Sequence, residues 1–368
     1  MVVERIKHIL DADPALRQLM EQSLMQAAQC NPHRCTNPVR TLEEWYAYLE
    51  HFLHHMPWEN LDLGEDASFF LRIDQNIGYF YYLIDQPLEV LKDCGYWYPS
   101  LQYEPRIATW LVEYNKAWGE WLSSPDSWND TYYNLACTDA RFELNTDRYE
   151  SPSNWHSWND FFARKLRKPV HSFTHSLIHS FVSPCDGVIM DYPVKTMSAD
   201  SPHALLGDSP FAERFVGGEA IHIVLDVFDY HRFHAPCDGT IVEQKIIPGI
   251  HAGGGVIIWD ETQGRYRYDQ LGATGFQSLE TRGVIVLDTP DFGYVALIAV
   301  GIQQVSSIQW TLNHKFEIIN HKSPISLLQG DEIGSFLFGG SDIILFFEPG
   351  KAPAFQLRKS VKAGDLLA

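Results

Sequence analysis

The sequence predicts an α+β protein, a helical N-terminal region followed by a mostly antiparallel β domain. Three observations carry this. Through the first 150 residues, apolar and aromatic positions recur at three- and four-residue spacing. From about residue 151 the texture changes to short β-type runs bounded by Gly and Pro. The tetrapeptide Pro-Cys-Asp-Gly also occurs twice, in SPCDGVIMD and APCDGTIVE, so two similar, pseudo-symmetric β units are expected.

The elements follow in chain order. MVVERIKHILDADPALRQLM is amphipathic and broken by charges, unlike the continuous apolar stretch of a secretory signal. In TLEEWYAYLEHFLHHM, Thr41 is a cap and acidic residues fill the first helical turn. EPRIATWLVEYNKAWGEWLSS repeats the helical pattern. Trp45, Trp58, Trp97, Trp110, Trp118 and Trp121 have two readings: helix–helix core, or the wall or lid of a pocket for an aromatic or acyl substrate. SPSNWHSWNDFFARKLRKPV reads as a short helix with a basic end, stopped near Pro169. Beyond it GVIMDYPV, AIHIVLDVF, GTIVEQKII, GVIIWD, GVIVLDT, YVALIAV and DIILFF read as strands, and VKAGDLLA as a closing strand. In the repeated motif Pro fixes φ and Gly permits a positive φ, so each Asp-Gly is a tight turn feeding a strand. The expected division is residues 1–150 and 151–368.

Composition narrows the function. At 368 residues, 45% hydrophobic and 13% aromatic, the chain can bury a large core. A net charge of −19 disfavours nucleic acid, whose phosphates need clustered Lys and Arg. It equally disfavours electrostatic docking on anionic lipid. Six scattered cysteines fit reduced thiols inside a cell better than a disulfide framework. Cys30, His33 and Cys35 in CNPHRC lack a second pair at zinc spacing, so no metal is expected there. No stretch approaches the roughly 18 uninterrupted apolar residues of a spanning helix. The expectation is a soluble, cytoplasmic protein with no transmembrane segment; its assembly is open, a homodimer included.

Chemistry concentrates in two places. In FLFGGSDIILFFEPG, the run Ile343–Phe347 reads as a buried strand preceded by Gly339, Gly340 and Ser341. That is either a simple turn or a peptide bond that must bend and then break. In LDVFDYHRFHAP, His231 and His234 stand three apart after an apolar strand. They form a structural pair, a catalytic pair, or with Asp229 the metal site of a hydrolase. A serine is a weak nucleophile unless a base takes its proton, and the base works best when a carboxylate orients it. No serine sits in a Gly-x-Ser-x-Gly elbow, which disfavours an α/β-hydrolase.

SPCDG, DYHRFHAP, VGIQQVSSI and QGDEIGSFLFGGSDIILFFE, in that order and after WNDFFARKLRKP, resemble successive motifs of the phosphatidylserine decarboxylases, which are pyruvoyl-dependent and self-processing. The resemblance spans roughly residues 155–368. The first 150 residues look more like the helical extensions of soluble relatives that decarboxylate free amino acids, tryptophan among them. The resemblance implies that Ser341 attacks the Gly340 carbonyl, cuts the chain between them and becomes the covalent pyruvoyl group. It implies His234 as the base for Ser341 and Asp186 as the group that orients and charge-stabilises His234. His231 would be a proton donor or carboxylate contact in turnover.

The expected reaction removes the carboxylate of an L-amino acid through a Schiff base, giving an amine and CO2. Conversion of phosphatidylserine to phosphatidylethanolamine is the alternative, and a processing-deficient binding protein on the same fold is a third reading. The acidic charge, the lack of a membrane span and the aromatic N-terminal half favour the free amino acid. Three positions depart from the family's usual pattern. Asp342 follows the cut where the family carries Ser or Thr. Its carboxylate would slow processing if it lay beside the ester, or would point to the opposite face of the strand. Glu280-Thr281-Arg282 replaces Asn-Glu-Arg, and Ser306 replaces a Gly.

Overall fold

The computed structural model describes residues 1–170, 180–190, 200–269, 275–304, 307–311 and 325–367; Ser306 lies outside them. The helices are α1 (Val2–Ala12), α2 (Pro14–Cys30), α3 (Leu42–Phe52), α4 (Phe69–Tyr82), α5 (Pro105–Leu122), α6 (Asp130–Cys137), α7 (Trp158–Phe162) and α8 (Asp200–Leu206). Local chemistry starts them. Thr41 accepts from the Glu44 N–H while the Glu44 carboxylate accepts from the Thr41 N–H, a full capping box for α3. Glu104 caps α5 and Pro105 supplies its first residue. Trp45, Trp110 and Trp118 are fully buried, so the core reading of the tryptophans holds for them.

The strands are β1 (Gly187–Ile189), β2 (Glu219–Leu225), β3 (Arg232–His234), β4 (Gly239–Ile247), β5 (Val256–Asp260), β6 (Arg265–Asp269), β7 (Thr281–Thr289), β8 (Gly293–Ile302), β9 (Ile308–Trp310), β10 (Ile325–Leu327), β11 (Glu332–Phe336), β12 (Gly340–Phe347) and β13 (Ser360–Val361). All of their pairings are antiparallel. The main sheet runs β10-β4-β7-β8-β12-β2-β1-β13, beside a small sheet β3-β11-β9 and the hairpin β5-β6.

The main sheet has an internal echo. Read inward from either edge, a short strand is followed by the strand that a Pro-Cys-Asp-Gly turn feeds: β4 on one side, β1 on the other. The two motifs also meet. Val182 N–H donates to Pro236 O (2.9 Å), and His234 N–H donates to Pro184 O (2.8 Å).

Both faces of the sheet are buried. Ile285, Leu287, Leu297, Ile343 and Leu345 pack on one side with Phe233, Ile333 and Phe336 of the small sheet. Val284, Val286, Ile298, Val300, Ile344 and Phe346 pack on the other with Leu206, Phe215 and Phe276. A strand buried on both sides needs apolar residues at successive positions, which is what the run after Asp342 supplies. The helical region shares its core with Tyr230, Ile257, Tyr266 and Phe338. Gln75 of α4 ties the hairpin down: its Nε2 donates to Tyr266 O (2.9 Å) and its Oε1 accepts from Tyr266 N–H (2.6 Å).

Candidate active site

Gly340 and Ser341 open β12, between β2 and β8; Ser341 pairs with Leu225 on one side and Gly301 on the other. Gly339 holds φ +151°, a region L side chains rarely adopt. A Cβ on Gly340 would lie 3.1 Å from Ile302 Cβ and 3.3 Å from the Gln303 amide, so neither glycine is replaceable without movement. Ser341 is 1% exposed, and its Oγ has no hydrogen-bond partner.

Asp342 points away from Ser341. Successive side chains on a strand alternate faces, and Asp342 joins His222 of β2 on the side opposite the Ser341 side chain. Its Oδ2 is hydrogen-bonded to His222 Nε2, and its Oδ1 has no partner. Of the two outcomes open for this carboxylate, the structure shows the second. The Glu280-Thr281-Arg282 segment is a backbone clasp: Arg282 Nη1 donates to the carbonyls of Ser278 (2.5 Å) and Glu280 (2.7 Å). Burial pushes the Glu280 carboxyl well up.

The two histidines lie on β3 and the loop before it. Each turns Nδ1 to a backbone carbonyl, His231 to Asp229 O (3.0 Å) and His234 to Gly330 O (3.0 Å). Those contacts place the proton on Nδ1 and leave the lone pair on Nε2. His234 Nε2 meets the Tyr230 hydroxyl at 3.1 Å. His231 Nε2 is buried without a partner, and its ring stacks on Phe162 at 3.8 Å. Burial holds His234 down at about 4, and burial with the nearby Arg164 guanidinium holds His231 at about 3. The sequence pattern sets Arg164 in a basic helix end. Instead α7 stops at Phe162, and the buried guanidinium turns inward to Phe228 O (2.6 Å) and Asp229 O (3.1 Å).

Asp186 is fully buried. Arg148 grips both of its oxygens at 2.7 Å, Lys362 reaches Oδ2 at 3.3 Å, and Ala363 N–H donates to Oδ1 at 2.9 Å. Its link to His234 runs through Tyr230, whose N–H points to Oδ2 at 3.4 Å while its hydroxyl meets His234. The direct chain Asp186–His234–Ser341 implied by the resemblance is therefore not the hydrogen-bonding arrangement of the continuous chain. Each member is occupied elsewhere, except Ser341. Among the described residues no three His, Cys, Asp or Glu side chains are arranged to hold a metal ion, so the hydrolase alternative lacks its donor set.

A cavity of about 210 Å³ lies beside Gly340 and Ser341. Its polar lining comes from Asp74, His222, Asp226, Tyr268, Gln303 and Asp342. Sequence reasoning singled out only Asp342 of these. His222 left a faint signal as the one ionisable residue inside the apolar run AIHIVL. Asp74 left none, because a helix far back in the chain brings it there. No tryptophan is among the described lining residues, so the pocket-wall reading of the indoles does not apply to this cavity.

Comparison with known proteins agrees with this architecture. A family model described as phosphatidylserine decarboxylase matches residues 158–368. A phosphatidylserine decarboxylase proenzyme of Fusobacterium nucleatum is 28% identical over 264 residues, covering 68% of this chain and 80% of that protein. The corresponding proenzyme of Anaeromyxobacter sp. (strain K) is 31% identical over 216 residues, covering 54% of this chain and 72% of the relative. One from Chlamydia pneumoniae is 29% identical over 226 residues, covering 57% and 65%. With more than half its length matched, this chain belongs to the phosphatidylserine decarboxylase family of pyruvoyl-dependent carboxy-lyases.

Proposed function

We propose that the chain cuts its own backbone between Gly340 and Ser341, and that residue 341 then carries the keto group used to remove carboxylate from an amine-bearing substrate. One observation carries the reading: the Ser341 hydroxyl is buried and lacks any hydrogen-bond partner, in a residue that borders a cavity. A buried polar group left unpaired costs about 1–3 kcal/mol, which marks the position as more than structural.

The atoms balance. Ser341 Oγ adds to the Gly340 carbonyl carbon as a base takes its proton. The C–N bond breaks, its nitrogen gains a proton, and an ester remains. Loss of the Ser341 Cα proton expels the Gly340 carboxylate and leaves a dehydroalanine. Water hydrolyses this, ammonia departs, and a ketone remains on residue 341. The products are residues 1–340 and 341–368.

The surroundings fit such a group: it is built from Ser341 itself, and the adjoining cavity leaves space for a substrate. The keto group supplies an electrophile for the substrate amine and a sink for the electrons left when CO2 departs. His234 is the proposed base for Ser341. It is neutral, with its lone pair on Nε2, and the Tyr230 hydroxyl resting there is the group through which a proton would reach it. Asp186 is a positioning residue in this scheme, holding the Tyr230 N–H and with it the Tyr230–His234 contact. His231 Nε2, unpartnered and neutral, accepts a proton given up by the substrate ammonium group and returns it to the substrate carbon.

The relatives' names make phosphatidylserine the first substrate to test. A free L-amino acid is the second reading, and one observation favours it: the cavity is small, walled partly by α4 and lined with carboxylates, which suit a phosphodiester poorly. Wild-type protein is expected to resolve into the two fragments by mass spectrometry, the shorter one capturing a hydrazine probe. Ser341→Ala is expected to stay whole. A wild-type chain that remains intact on prolonged incubation and never reacts with hydrazine sinks the proposal. Amine release from phosphatidylserine vesicles, against a panel of L-amino acids, separates the two substrates.

A further inference from the structure

We infer that Gln303 is a positioning residue for the self-cleavage, holding Gly340 where Ser341 can reach its carbonyl carbon; the inference rests on the decarboxylase reading above. Gln303 directly follows β8, and Ile302, the last residue of that strand, is the ladder partner of Gly340. Gln303 borders the same cavity as Gly340 and Ser341.

The backbone of Gln303 is the first sign. It holds φ +63°, in the left-handed region that favours glycine, and among the described residues only Glu143 and Arg358 share a positive φ without being glycine. Such strain persists where the surroundings over-determine it, and it gathers at functional sites. Here the N–H of Gln303 donates to Ala252 O (2.9 Å), its Nε2 donates to Gly253 O (3.3 Å), and its side chain also hydrogen-bonds to Tyr268.

Gly340 is the second sign. Gly339 and Gly340 form the loosest kind of backbone, so the peptide to be cut needs a wall outside itself. The heavy atoms nearest to a Cβ built on Gly340 are Ile302 Cβ at 3.1 Å and Gln303 Cδ and Oε1, both at 3.3 Å. The Gln303 amide therefore covers the side of Gly340 where other residues carry a side chain. In an intramolecular attack, a displacement of about 1 Å at this point costs on the order of a hundredfold in rate.

The wall is itself braced. A Cβ on Gly254 would meet Ile302 Cγ2 at 2.3 Å, so the loop of residues 251–255 lies directly on the end of β8. Tyr81 of α4 donates its hydroxyl to His251 O (3.0 Å), Gln102 Oε1 accepts from Gly253 N–H (2.8 Å), and Glu280 Oε2 accepts from Ala252 N–H (3.2 Å). A frame thus runs from the helical region through this loop and Gln303 to Gly340. In the step it serves, Ser341 Oγ bonds to the Gly340 carbonyl carbon, the C–N bond breaks, and the hydroxyl proton ends on the freed nitrogen.

Gln303→Gly removes the amide and relieves the strained φ, so stability and cleavage are expected to part. Compared in the uncut Ser341→Ala background, the urea midpoint is expected to stay within about 0.5 M, because lost hydrogen bonds and relieved strain oppose each other. With Ser341 present, release of fragment 341–368 from freshly made chain, followed by mass spectrometry, is expected to slow at least about tenfold. Hydroxylamine reports on the step: it attacks the ester carbonyl carbon, leaving a hydroxamate on residue 340 and a free Ser341. It is expected to leave Gln303→Gly slow, because little ester has formed. Gln303→Asn sets its amide one carbon short of Gly340. It is expected to behave alike, and it decides the matter if the glycine variant does not fold. Variants that cut within about twofold of the wild-type rate overturn the inference. So does a slow variant that hydroxylamine restores, since its ester forms normally, or a rate that falls only in step with the urea midpoint. A wild-type chain that never cuts, with hydroxylamine or without, sinks the decarboxylase reading itself and the inference with it.

Discussion

Burial fixes the protonation of the imidazoles around β3 before any substrate arrives. His231 titrates near 6.5 in an unfolded chain and near 3 when folded. Between those values the unfolded chain binds the extra proton, so acid favours unfolding, and the contribution to stability is complete only above about 6.5. His231→Phe keeps the stack on Phe162 and removes this liability. Between pH 7.5 and pH 5 the variant is expected to lose about 2 kcal/mol less stability than wild type, read from denaturant midpoints at the two pH values. A wild-type-like pH slope in the variant counts against a buried neutral imidazole. The pair was legible in the sequence because two histidines three apart after an apolar strand are conspicuous. Their orientation was not, because each Nδ1–H answers to a carbonyl, and Gly330 O is supplied by a distant stretch of backbone.

Elements differ in how far they can be read from local pattern. The capping box of α3 and the apolar run of β12 are set by neighbours in sequence, and both stand where the sequence puts them. The facing of Asp342 was half legible: alternation along a strand offered two sides, and the choice depended on His222 across the ladder. The route of α4 to the cavity was illegible. It rests on Gln75 clasping both backbone groups of Tyr266, 191 residues further along the chain. Gln75→Ala leaves those two groups buried and unpaired. The expected loss is about 2–6 kcal/mol in urea unfolding, at roughly 1–3 kcal/mol for each orphaned group. A loss under half a kcal/mol shows that the hairpin is held by its apolar contacts instead.

At the scale of the whole molecule, the helical core takes in Tyr230, Ile257, Tyr266 and Phe338 of the β region, and Asp186 ties distant parts of the chain together. Arg148 comes from the segment after α6, Lys362 and Ala363 from just beyond β13, and Asp186 from the repeated turn. Such a three-way junction has no sequence signature beyond the Asp-Gly turn, since its partners are chosen by the fold. No helix among the described residues is long and apolar enough to cross a membrane. The place of β12 in the middle of the main sheet has an outcome for the matured protein. If the proposed cut between Gly340 and Ser341 is made, the strand belongs to a separate polypeptide that also carries Lys362 and Ala363, and the native state becomes a two-chain complex. Its recovery from denaturant then requires re-association and depends on protein concentration, whereas Ser341→Ala refolds at a rate indifferent to dilution. A tenfold dilution that slows recovery of the processed protein and spares the variant is the expected signature.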